Sequence, residues 1–108
     1  MDLHLDDRLL HGRILHGWGR VLKPRRYVLV SRRLADPALG AMHAETAQAA
    51  GLELSCVVPE RDAPPSPRGD DFWLTDSPAA ALWLLDADRP FRRLILSGLR
   101  AASGPAPP

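Results

Sequence analysis

Two short signatures punctuate the chain and leave little choice of fold. Asp36-Pro37 and Ser77-Pro78 each set a side chain able to cap a helix directly before a proline suited to the first helical position. Tyr27–Val30, a compact β-branched and aromatic run, precedes the first of them, and Asp71–Leu74 precedes the second. Nearer the N-terminus, Leu3 and Leu5 flank His4 in a short alternating run. Ile14, Leu15, Trp18, Val21 and Leu22 then draw a single helical stripe over residues 13–22. Lys23-Pro24 ends that helix, because the residue before proline is pushed out of the α region. The helix opened by Asp36 extends to Ala50 with Gly51 as its stop, and Leu52–Val58 and Leu94–Leu96 supply two more strands. Strands and helices in alternation predict an α/β domain around a mainly parallel sheet of about five strands.

At 108 residues and 11.8 kDa the chain has room for one small domain. We expect that domain over residues 1–98, with 99–108 a flexible proline- and alanine-rich tail. Pro59–Gly69, with four prolines, reads as a loop. A net charge of +1 argues against a general nucleic-acid binder. The only cysteine, Cys56, excludes an internal disulfide and any cysteine-based zinc site, and it falls in a strand where a buried, apolar role is expected. No apolar run approaches the ~20 residues of a membrane helix. The opening MDLHLDDR is acidic where a signal peptide is basic, so a cytoplasmic protein is expected.

Among the four histidines no pair has the HExxH form, and no cysteine–histidine set exists, so neither a metal nor another cofactor is expected. His4, His16 and His43 fall within a strand or within helices, where a packed or surface role suffices. His11 differs by its neighbours. It lies in Asp6-Asp7-Arg8-Leu9-Leu10-His11-Gly12, between the first strand and the first helix. The carboxyl end of a parallel strand is where such sheets bind ligands, and the helix start beyond it offers free amides to a phosphate. Gly12 lets the backbone turn and approach a ligand, and Arg8 can grip phosphate oxygens in a fork. Asp6 or Asp7 can fix the imidazole tautomer and leave the other ring nitrogen free to attack.

The segment LHLDDRLLHGRILHGW resembles the start of the IIB component of mannose/fructose/sorbose-type bacterial sugar phosphotransferase systems. The match falls on Asp6, Asp7, Arg8, Leu9, His11, Gly12 and Trp18, and YVLVSRRLADP is similar to the next strand and turn, with Ala35 and Asp36 in register. The resemblance runs over residues 3–58 and more loosely to Gly98. It implies a three-layer α/β/α sandwich and a phosphotransferase. His11 would accept a phosphoryl group from the phosphohistidine of a IIA domain and pass it to a sugar entering through membrane IIC and IID components.

Some positions depart from that pattern. Arg13 stands where the family has glutamine, and Ser31-Arg32 replaces an Asn-Asp pair, with Arg33 following. Arg8, Arg13, Arg32 and Arg33 would make the phosphate pocket unusually positive. The loop PERDAPPSPRGD takes the place of a helix between the third and fourth strands, and the chain stops where the family continues into a further strand and helix. A domain lacking part of that C-terminal region would expose a sheet edge, so a homodimer is expected. Two other functions fit the same residues: a regulatory protein switched by phosphorylation of His11 without sugar transfer, and a degenerate homologue that merely binds phosphate.

Overall fold

The computed structural model describes residues 1–87 and 91–98, so the tail at 99–108 lies outside the described residues. Strands β1 (Asp2–Asp6), β2 (Arg26–Val30), β3 (Glu53–Val57), β4 (Asp71–Thr75) and β5 (Arg93–Gly98) form one sheet in the order β3-β2-β4-β1-β5, all parallel. Helices α1 (Gly19–Leu22), which continues a π-helical turn over Ile14–Trp18, and α2 (Pro37–Ala49) cover one face. Helix α3 (Pro78–Asp86) covers the other. This is the expected three-layer sandwich.

Alternation along β2 shows how the layers form. Tyr27 and Leu29 point into the core shared with Leu10, Ile14, Leu34 and Ala47, while Val28 and Val30 point into the core shared with Ala80, Ala81 and Leu84. Both cap–proline signatures act as read. Asp36 accepts from the Ala38 amide at 3.0 Å and Ser77 from the Ala80 amide at 3.1 Å. Gly51 ends α2 at φ 71°, in the left-handed region.

The first helix departs from its stripe. Its middle widens to i→i+5 bonding, with the Gly19 amide bonded to the Ile14 carbonyl. A Cβ at Gly19 would stand 2.7 Å from the Tyr27 hydroxyl, so a larger residue there would force a shift. Glycines in a helix interior also weaken α geometry. Lys23, before Pro24, leaves the α region for the left-handed one at φ 48°.

Cys56 is exposed, contrary to the buried role expected of it. Its strand, β3, is an edge of the sheet, and among the described residues no strand lies beyond it. No helix stands between β3 and β4, and the intervening loop is instead pinned at the sheet's amino end. Arg26 reaches Asp71 through Nε at 2.8 Å and Nη2 at 2.6 Å and also donates to the Ser66 carbonyl at 3.0 Å. Asp71 further accepts from the Arg68 amide and the Trp73 indole. Burial works to raise the Asp71 pKa, but the Arg26 guanidinium and these two donors outweigh it and hold the carboxyl below its ordinary value.

Candidate functional site

The chain leaves β1 at Asp6 and turns at once, the Leu9 amide bonding the Asp6 carbonyl at 3.0 Å. Leu9 is fully buried and holds φ 58°, a conformation that costs a bulky side chain roughly 1–3 kcal/mol. Such a turn persists only where its surroundings over-determine it. Asp6 supplies part of that restraint, because its buried carboxylate accepts from the Arg8 amide at 3.0 Å through Oδ1.

The other carboxylate oxygen, Oδ2, lies 3.0 Å from His11 Nε2. The opposite ring nitrogen, Nδ1, accepts from the backbone amide of Arg13 at 3.2 Å. An amide can only donate, so the Nδ1 lone pair faces it and the ring proton resides on Nε2, directed at Asp6. In that arrangement the free lone pair of the ring lies on Nδ1. The first helical turn begins at His11, whose carbonyl accepts from the Leu15 amide at 3.1 Å.

Two clefts flank the loop. One, of about 470 Å³, is lined by Asp6, Arg8, Arg13, Ile14, Trp18 and Val21. The other, of about 360 Å³, is lined by Asp7, Arg8, Arg33, Leu39, Met42 and His43. Arg8 borders both. Its guanidinium Nε stands 3.6 Å from Asp6 Oδ1, and the side chain is about one third exposed (37%).

The predicted site residues divide. Asp6, Arg8, His11 and Arg13 come together, and of the two aspartates it is Asp6 that meets the imidazole. Asp7 borders the second cleft, and its carbonyl accepts from Arg33 Nη2 at 2.7 Å. Gly12 sits beside His11, but its backbone is not left-handed and a Cβ there would meet only His16 Cδ2 at an ordinary 3.8 Å. The residue that makes the turn is Leu9. Arg32 directs its guanidinium to Glu60, at 2.7 Å through Nε and 2.6 Å through Nη2. No group of His, Cys, Asp or Glu suited to a metal occurs among the described residues.

Two supports of the loop are not legible as such in the sequence. Arg33, expected to add positive charge to the pocket, bonds both the Asp7 carbonyl and Asp76 Oδ2, the latter at 2.7 Å. His43 is buried on α2 with no hydrogen-bond partner for Nδ1 among the described residues, and it feels the charges of Arg33 and His11. Burial first, then the Arg33 charge, pushes its pKa down, so it is a neutral support.

Neither a family model nor a curated protein matches the sequence. Two solved structures are similar to it over 95% of this chain. One is manxB from Thermoanaerobacter tengcongensis, at 19% identity and a TM-score of 0.72. The other is the PTS system N-acetylgalactosamine-specific IIB component 1 from Escherichia coli, at 18% identity and 0.79. The chain has the IIB fold. It spans 65% of the length of manxB, under two thirds, and 71% of the second structure. Within this IIB fold the DDRLLHG loop stands at the carboxyl end of β1, one place in from the sheet edge formed by β5. No helix among the described residues is long and apolar enough to cross a membrane.

Proposed function

We propose that the chain is a phosphocarrier of a sugar phosphotransferase system, working in the cytoplasm. It takes a phosphoryl group onto His11 from the phosphohistidine of a IIA donor and passes it to a sugar held by IIC and IID permease components. The observation that carries this reading is the imidazole of His11, bonded to Asp6 through Nε2 and presenting Nδ1 on a IIB fold.

In the first transfer the Nδ1 lone pair forms a bond to phosphorus as the bond to the donor's imidazole breaks. That ring leaves with the bonding electron pair. His11 then carries phosphoryl on Nδ1 and a proton on Nε2, a cationic ring lying opposite the Asp6 carboxylate. In the second transfer a sugar hydroxyl oxygen bonds phosphorus as the Nδ1–P bond breaks, the hydroxyl proton goes to solvent, and the ring leaves with the bonding pair as a neutral imidazole. The Arg13 amide, displaced from Nδ1, and the Arg8 and Arg13 side chains border the place where the phosphoryl oxygens would sit, and they supply fixed donors for the spread charge. We further place the active form as a homodimer paired through β5, an edge strand on which Leu94 and Leu96 are exposed.

The test is incubation with phosphoenolpyruvate and the general phosphotransfer proteins plus a IIA donor, followed by intact mass in alkaline conditions. One acid-labile phosphoryl group, lost in His11→Ala, is expected. Phosphorylation without onward transfer to any sugar would favour the regulatory alternative, and no uptake at all would overturn the proposal.

A further inference from the structure

The carboxyl ends of three neighbouring strands are tied together by one arginine. Arg33 follows β2, Asp76 follows β4 and Asp7 follows β1, and β4 lies between the other two in the sheet. Arg33 donates through Nε to Asp76 Oδ2 at 2.7 Å and through Nη2 to the Asp7 carbonyl at 2.7 Å. Asp76 is fixed in turn. Its Oδ2 also accepts from Ser31 Oγ at 2.6 Å, and Ser31 is wholly buried, with its Oγ accepting the Arg33 amide at 3.1 Å. The planar guanidinium is thus aimed by a carboxylate that is itself held by a buried hydroxyl. What it grips is the backbone two residues before the strained Leu9 and four before His11.

From this arrangement we infer that Arg33 is a positioning residue for His11. It acts through the Asp7 carbonyl to hold the turn that sets the imidazole between Asp6 and the Arg13 amide. The geometry requires two donors in a fixed fork, one for Asp76 and one for the carbonyl, which a lysine ammonium on a flexible stem does not reproduce. The role is distinct from attraction of phosphate by charge, for which lysine serves. It rests on the function proposed above only where transfer rates are concerned, because the orientation of His11 can be read without any phosphoryl donor.

The experiment uses the full chain labelled with nitrogen-15 and the variants Arg33→Lys, Arg33→Gln and Asp76→Asn. Two-bond nitrogen–proton spectra of the imidazole rings report which nitrogen of His11 carries the proton. The wild type is expected to show one dominant tautomer, protonated on Nε2. All three variants should show a mixture in which the Nδ1-protonated form is appreciable, with faster amide exchange at Arg8 and Leu9. Where phosphorylation of the wild type is observed, the variants should slow it on the order of tenfold, as a small misplacement of a reacting group does.

Arg33 is half-exposed, so Arg33→Lys and Arg33→Gln are expected to fold, and far-ultraviolet circular dichroism checks this. Should either arginine variant unfold, Asp76→Asn, which keeps an acceptor for Ser31, carries the test. A wild-type tautomer in Arg33→Lys alongside a mixture in Arg33→Gln would mean that charge alone matters, and would overturn the inference. An unchanged His11 spectrum in every variant would also overturn it. A wild type that accepts no phosphoryl group yet shows the tautomer shift in the variants would refute the proposed function and leave the positioning role standing.

Discussion

Asp6 Oδ2 and His11 Nε2 lie 3.0 Å apart, and the carboxylate is almost wholly buried while the imidazole keeps some exposure to solvent. The buried partner is the one whose charge is least screened by water, so it can act strongly on the ring beside it. Replacing it with asparagine keeps the shape and removes the charge that stabilises a phosphorylated, protonated ring. Asp6→Asn is therefore expected to slow phosphorylation of His11 by at least about a hundredfold, following the loss seen when a histidine's orienting aspartate becomes an amide. Rapid-quench measurement of phosphoryl uptake checks this, and a rate near that of the wild type would remove Asp6 from the mechanism.

Arg8 should matter to transfer and hardly to folding. Its only ion-pair contact among the described residues is the 3.6 Å approach to Asp6, and a pair with one partner exposed is worth little to stability. A forked guanidinium on phosphoryl oxygens is worth about 1.5–3 kcal/mol, or roughly tenfold to hundredfold in rate. Arg8→Lys is expected to slow phosphorylation by that factor and to leave Tm nearly unchanged. A large drop in Tm with normal phosphorylation would make Arg8 a structural residue instead.

The opposite end of the sheet carries stability. Asp71 is fully buried in its side chain and Arg26 nearly so, and together they anchor the loop that runs from β3 to β4. Removing one member strands the other charge in the interior, at a cost of about 3–5 kcal/mol. Arg26→Met should lower the unfolding free energy by that amount in urea titrations. The double variant Arg26→Met with Asp71→Leu should recover only part of it, because the Arg68 amide and Trp73 indole lose their acceptor.

His4 makes stability depend on pH. Its ring is buried, stacked on Phe72 at 4.1 Å and met edge-on by Trp18 at 4.9 Å. Burial pushes its pKa down from 6.5 to about 4. Between those values the unfolded chain binds a proton that the folded chain does not. The contribution is thus fully present above pH 6.5 and is lost as pH falls towards 4. The wild type should lose about 2 kcal/mol more than His4→Phe between about pH 7 and pH 4.5 in parallel denaturation series. Equal losses would show that the ring is protonated in the folded state.

What could be read from the sequence was local. The caps at Asp36 and Ser77, the strand run at Tyr27 and the loop carrying His11 each depend on residues a few positions apart, and all fall where they were expected. Features set by the order of strands were not legible. Arg33 meets Asp76 across 43 positions only because β2 and β4 are neighbours. Cys56 is exposed because β3 is an edge. The direction of a single turn after β2 sends Arg32 to Glu60 and Arg33 to the site, and nothing in the run Ser31-Arg32-Arg33 distinguishes them. The close approach of the Tyr27 hydroxyl to Gly19, which leaves no room for a Cβ there, is likewise set between separate elements.

The expected dimer rests on the other edge of the sheet. Parallel sheets normally have both faces covered, yet Leu94 and Leu96 of β5 are exposed at 50% and 65%. They pair in register with Leu3 and Leu5, which places them on the face that carries α3. Leu82 and Leu85 of α3 are exposed as well. A second copy set against the same strand by a two-fold axis would pair one β5 with the other and cover these leucines from both sides, the commonest closed symmetry for a soluble protein. The Asp2–Arg93 pair at 2.8 Å sits near the start of that strand and is largely solvated on the arginine side, so it offers little resistance to such pairing. Light scattering over a dilution series should give twice the monomer mass, and Leu96→Glu, which sets like charges across the axis, should return it to 11.8 kDa. A wild-type mass that stays at the monomer value at every concentration would rule the dimer out.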